Sequence, residues 1–195
     1  MENKAVTNFN MKKDNLNSSL LSEKSISTND GNITEDEESL IELAKVKNVK
    51  LSSLISKVLE KIINNNKINK RYKLRRDIFT GKSLPKITLI DYINRIITYS
   101  DSEINTLICS LIYIDRINKI KAINEFNIHR IFFTAVLISI KYNEDIIFNN
   151  DYYSKVAGVK LNEINKMELE FISLLDFNLY IDPEEFGTYK QFIWY

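Results

Sequence analysis

The 195-residue chain is short of almost everything that most architectures and chemistries need. It has four glycines and two prolines, about 3 % of the chain where an average one carries roughly 12 %. β-Architectures draw on glycine and proline at their many tight turns, so that shortage excludes most of them. Only Gly158 and Gly187 lie in the C-terminal half, and no glycine-rich phosphate loop can be written anywhere. One histidine, His129, and one cysteine, Cys109, cannot assemble a zinc site, which takes about four ligands. A single cysteine also excludes an internal disulfide. Neither a metal nor any other cofactor is expected.

Charge of one sign is lacking too. Twenty-seven basic residues face 26 acidic ones, a formal charge of +1, so neither nucleic acid nor a membrane surface is an expected partner. The longest apolar run, Ile131 to Ile140 with Thr134 and Ser139 inside it, falls far short of the ~20 residues that span a bilayer. The first eleven residues are polar and carry no signal-peptide core. These features give the expectation of a soluble intracellular protein of the nucleus, the cytoplasm or both.

What is present reads as helix. Residues 1–33 are rich in Asn, Ser, Lys and Asp with no apolar period, the composition of a disordered tail. Thr34 and Glu37 have capping-box spacing, which leaves 34–50 open between helix and tail. From 51 to 195 a single domain is expected. Its first helix, 51–63, repeats Leu51, Leu54, Ile55, Val58, Leu59 and Ile62 at threes and fours, and Asn64–Asn66 should end it. A basic connector comes next, with Arg71, Lys73, Arg75 and Arg76. It suits phosphate or an acidic partner, and it equally suits a solvated loop.

Beyond Pro85 the helix starts are marked. Thr88 with Asp91, and Ser100 with Glu103, have capping-box spacing; Asn127 and Asn150 or Asp151 are candidate caps; Asp182-Pro183-Glu184-Glu185 has a cap, a first-turn proline and carboxylates. The Ile131–Ile140 stretch is apolar all round, so its helix should be central. Gly158 should close a short helix in the left-handed conformation. The expected fold is all-α, a five-helix bundle around a buried helix.

Two charges break this pattern. Glu168 shares a helix face with Leu161, Ile164, Phe171 and Leu175, and Lys141 directly follows the apolar run. A lone buried charge costs several kcal/mol unless it is paired, so the two either pair, for structure alone or for function, or Lys141 snorkels to solvent with no role. If the helices flanking Ser100–Asp101 form a hairpin, Asp115 should meet Lys86 at its open end. His129 reads as a boundary residue and Cys109 as a small core hydrophobe.

In order and spacing, Ser83-Leu84-Pro85, Asp91-Tyr92, Arg95-Ile96, Tyr113-Ile114-Asp115-Arg116, Asn127-Ile128-His129-Arg130, Lys141-Tyr142, Tyr153 to Gly158 and Glu163 to Glu168 resemble the cyclin box, in its P/U type, over about 83–190. The resemblance implies a regulatory subunit, not an enzyme. It would bind a cyclin-dependent protein kinase and hold the kinase's mobile helix in its active position. Lys141 and Glu168 match the family's paired charges, which touch each other and kinase backbone groups. Ile138, Tyr142, Ile172, Phe177 and Leu179 match its apolar contact positions, and Glu144 and Asp145 offer carboxylates to kinase arginines. Where A-type cyclins carry Met-Arg-Ala-Ile-Leu and a tryptophan for substrate docking, this chain has Pro85-Lys86-Ile87-Thr88-Leu89 and Tyr92. Lys160 stands where a Ser or Thr cap is usual. Other uses of such a chain are a cyclin-fold scaffold in transcription or on nucleic acid, for which the basic stripe is lacking, and a carboxylate hydrolase, for which a polar constellation is lacking.

Overall fold

In a computed structural model of the chain, the described residues are 35–71 and 76–194. The expected disordered tail at 1–33 lies outside them, as do Thr34, Lys73 and Arg75. The chain divides into two units, residues 1–44 and 45–195. Of the first, the described part is the opening of helix α1 (Glu35–Ile68), where Leu43 is exposed. The second unit holds the remainder of α1 and every later helix.

Among the described residues the structure is all helix, with no strand: after α1 come α2 (Leu89–Ser100), α3 (Ile104–Ile120), α4 (Ile128–Asn143), α5 (Asn150–Ala157), α6 (Leu161–Leu174) and α7 (Pro183–Trp194). α4 packs against α3, α2 and α6; α5 bridges α2 and α6; α7 lies on α3. As its composition demands, α4 is central, with every residue from Ile131 to Ile140 buried.

A second buried helix was not evident in the sequence. α3 is buried continuously from Thr106 to Ile114. Thr106, Cys109 and Ser110 fill its other side, and small residues with weak polar demands can do that: Ser110 Oγ donates to the Leu107 carbonyl at 2.6 Å, inside its own helix.

Helix ends show where local chemistry yields to tertiary partners. Asn64–Asn66 do not end α1, which runs to Ile68. Asn66 is buried, and its amide donates to Asn118 Oδ1 at 2.7 Å and to the Ile123 carbonyl at 2.9 Å. A residue that would compete with helix in water is here satisfied from outside it. Ser100 is the last residue of α2 and not a cap; α3 starts after Glu103. Asn127 precedes α4 but donates to the Ala122 carbonyl and accepts from the Asn124 N–H, bracing the turn before the helix. Asn149, not Asn150 or Asp151, caps α5 by accepting the Tyr152 N–H at 2.9 Å. Thr88 caps α2 as expected, accepting the Asp91 N–H. At α6 the Glu163 carboxylate accepts the Lys160 N–H at 3.4 Å and pairs with Arg130 at 3.0 Å, so a lysine serves where a hydroxyl cap is usual.

Gly158 closes α5 at φ 69°, and the Val159 N–H reaches back to the Ser154 carbonyl, a Schellman ending. α6 ends in the same way without glycine. Phe177 N–H bonds the Ile172 carbonyl and Asp176 N–H the Ser173 carbonyl, with Asp176 at φ 51° and Phe177 at φ 59°.

Candidate functional site

Lys141, in the last turn of α4, and Glu168, in the middle of α6, meet at 2.6 Å. The glutamate side chain is 14 % exposed and the lysine 31 %, so the carboxylate is sheltered and the ammonium lies at the rim. Glu168 has a second donor, the amide of Asn150 at 2.5 Å, which also donates to Asn165. Asn150 is the first residue of α5. One carboxylate therefore ties together α4, α5 and α6, and the charge that broke the apolar stripe is satisfied within the isolated chain.

Large apolar side chains stand exposed on the helices that carry this pair and on the segments that follow them. Tyr142 is 53 % exposed and Phe177 70 %. Leu169, Ile146, Ile147 and Tyr180 are also exposed and were not among the sequence candidates. Leu169 lies off the buried stripe of α6, three residues before Ile172, and so shares that residue's outer face. Ile146 and Ile147 form an apolar pair in the α4–α5 linker, a signal readable as two isoleucines amid Asn, Asp and Glu. Tyr142 and Tyr180 line one groove with Leu179, Pro183 and Phe186.

The remaining sequence candidates divide. Ile138 is 2 % exposed and so offers no contact area, because α4 is buried on every side there. Ile172 and Leu179 are half-buried. Asp145 is exposed, while Glu144 accepts the Glu103 N–H at 3.1 Å and so helps to fix the start of α3.

The expected Asp115–Lys86 contact is not formed. α2 packs on α4 and α5 and forms no hairpin with α3, and Lys86 is exposed. Asp115 instead accepts from the Tyr189 hydroxyl at 3.1 Å and pairs with Lys119 at 3.6 Å. Its neighbours do related work. Tyr113 donates to the Leu179 carbonyl at 2.7 Å, and Arg116 to the Asn178 and Tyr180 carbonyls and to Glu185 at 2.6 Å. Burial pushes the Tyr113 phenol above its usual range, so it remains a donor. Tyr113 to Arg116 is thus the clasp that holds the segment carrying Leu179 and Tyr180, and the start and middle of α7, against α3.

His129 lies against Tyr92, with ring centroids 5.0 Å apart, and burial lowers its pKa. No group of three or more His, Cys, Asp or Glu suited to a metal occurs among the described residues, and none of their helices is long and apolar enough to cross a membrane.

The described residues thus form a helical bundle around a central helix, with a carboxylate–ammonium pair joining α4 and α6. Comparison with known proteins names the family. The cyclin family model matches residues 18–179. Cyclin-U4-1 of Arabidopsis thaliana is 33 % identical over 150 residues, 74 % of this chain and 74 % of that protein. Cyclin-U4-3 of the same plant is 34 % identical over 142 residues, 71 % of this chain and 64 % of the relative. The PHO85 cyclin-like protein psl1 of Schizosaccharomyces pombe is 32 % identical over 188 residues, 86 % of this chain and 76 % of the relative. The chain belongs to the cyclin family, in its P/U type, a family of kinase-regulatory subunits.

Proposed function

We propose that this cyclin binds and activates a cyclin-dependent protein kinase by holding the kinase's mobile helix in its active position. The observation that carries the reading is the Lys141–Glu168 pair, its carboxylate sheltered and its ammonium at the rim, on helices that also expose large apolar side chains. An ammonium held by a carboxylate offers its remaining N–H groups to backbone carbonyls of a docked helix. Tyr142, Leu169, Ile172 and Phe177 supply apolar area around it, and Asp145 faces solvent where a kinase arginine could pair. Docking that orders the kinase helix brings the lysine and glutamate that pair around the ATP phosphates into register. The cyclin then acts by shifting a population between two kinase states, with no bond made or broken on its own residues. Because the surface is already tied by Glu168 across three helices, little ordering is left for the moment of binding.

The test is reconstitution. The chain is mixed with the cyclin-dependent kinase that copurifies with it from native extract, and kinase activity is followed with and without it. A stable complex burying more than about 2,000 Å² in total is expected, with activity that depends on Lys141. Activity unchanged by the chain, or equal with Lys141→Ala, would remove the reading.

A further inference from the structure

Basic residues at the two described ends of the connector, which the proposed kinase surface does not use, border a concave site. Lys70, Arg71 and Arg76 line a pocket of about 540 Å³ together with Lys121, Asp77, Glu170, Ile120 and Leu174. Lys121 and Asp77 pair with each other, which leaves three cations facing one carboxylate. Arg71 is held rigidly, but by neutral acceptors: its guanidinium donates to the Asn118 carbonyl at 2.8 Å, the Lys119 carbonyl at 3.2 Å and Asn66 Oδ1 at 3.4 Å. The C-terminal dipole of α3 offsets part of its charge; no carboxylate among the described residues does. Lys70 sits at φ 51° in the Schellman ending of α1, a conformation where glycine would be the unstrained choice, and it lines the pocket.

We propose that this pocket binds a phosphorylated serine or threonine side chain of a partner protein. A phosphate monoester carries about −1.5 to −2 charge at pH 7 and three acceptor oxygens, which matches an ammonium and two guanidiniums around one cavity. Glu170 on the wall repels a second or third phosphate, so a single dianionic group fits better than a polyphosphate or a nucleic acid backbone. Ile120, 60 % exposed, and Leu174 give residues flanking the phosphate an apolar seat that a free phosphate would leave bare. Glu170 lies two residues beyond Glu168, about 200° around α6, so the pocket faces away from the Lys141–Glu168 surface. The inference does not rest on the kinase reading.

The probe is a fluorescent peptide library with a fixed central phosphoserine and random flanks, titrated with the full chain alongside the same library carrying unmodified serine. The phosphorylated library is expected to bind at least about tenfold more tightly, and less so as salt is raised. Lys70→Gly with Arg76→Gln should weaken it about tenfold or more, since two charge-assisted contacts are lost. Lys70→Gly suits the backbone it occupies, and thermal melting of the variant checks that the fold is kept. Equal binding of the two libraries would overturn the proposal. So would unchanged affinity of the folded double variant, or capture of inositol hexakisphosphate without capture of phosphopeptide.

Discussion

Replacing Glu168 by alanine separates what the ion pair does for the fold from what it does for a partner. In the isolated chain the substitution removes two short contacts, from Lys141 at 2.6 Å and Asn150 at 2.5 Å. A charge-assisted hydrogen bond contributes about 1.5–3 kcal/mol where it is buried. Here Lys141 is 31 % exposed and can turn to water, and Asn150 keeps Asn165 as a partner. The expected loss of stability is therefore about 1–2 kcal/mol, a fall in Tm of roughly 2–8 °C for a domain of this size. In a complex the partner closes the rim and the ammonium can no longer reach water. Removing its carboxylate there should cost about 3–5 kcal/mol, roughly two to four orders of magnitude in kinase affinity. Circular-dichroism melting and titration calorimetry with the kinase measure the two quantities on one preparation. The exchange variant, Lys141→Glu with Glu168→Lys, sharpens the outcome: it restores attraction within the chain but presents the wrong charge at the rim. It should melt close to the wild type and still bind poorly. If Glu168→Ala, folded, binds the kinase with wild-type affinity, the pair serves the bundle alone and the reasoning fails.

Leu169→Ala and Phe177→Ala remove exposed apolar area, so each should leave Tm within about 2 °C of the wild type while weakening kinase binding several-fold; calorimetry decides, and wild-type affinity in both would take the apolar face out of the site. Gly158→Ala meets no atom within 4 Å of the added Cβ, so its cost is backbone strain alone at φ 69°, about 1 kcal/mol by urea unfolding. Because burial lowers the pKa of His129 from its ordinary 6.5, the unfolded chain takes up a proton that the folded chain resists. The stability this residue contributes is complete above pH 6.5 and is lost as pH falls from there through the lowered pKa. The urea midpoint should fall over that range, and His129→Gln should fall less; parallel profiles would show that the histidine does not set the slope.

The all-helical class, the central place of α4, the left-handed stop at Gly158 and the Lys141–Glu168 pairing were legible because each is local or stems from one imbalance. Glycine and proline are too few for many tight turns, a ten-residue run is apolar nearly throughout, and two charges of opposite sign stand where apolar residues are expected. The features that were not legible turned on side chains satisfied at long range. Asn66 reads as a helix terminator, yet Asn118 and Ile123 satisfy its amide from 52 and 57 residues away. Ser110 and Thr106 carry no apolar signal in α3, yet both are buried, and an intrahelical bond lets Ser110 face the core.

The Tyr113–Arg116 segment shows the same limit and its consequence for function. An antiparallel hairpin was the simplest topology for α2 and α3, and it would have paired Asp115 with Lys86. With α3 buried on all sides, α2 is displaced onto α4 and α5, and Arg95 and Tyr92 donate to the Lys155 and Ala157 carbonyls at the end of α5. The polar end of α3 is then left to hold the chain beyond α6, and Tyr113, Asp115 and Arg116 grip Leu179, Tyr180, Glu185 and Tyr189. That grip fixes the segment just beyond Phe177, whose ring stands exposed on a left-handed backbone at the end of α6. The proposed docking face is therefore bounded by two sets of contacts: Glu168 ties α4, α5 and α6, and α3 clasps the chain beyond Phe177. Loosening either should move affinity for the kinase more than it moves the melting temperature.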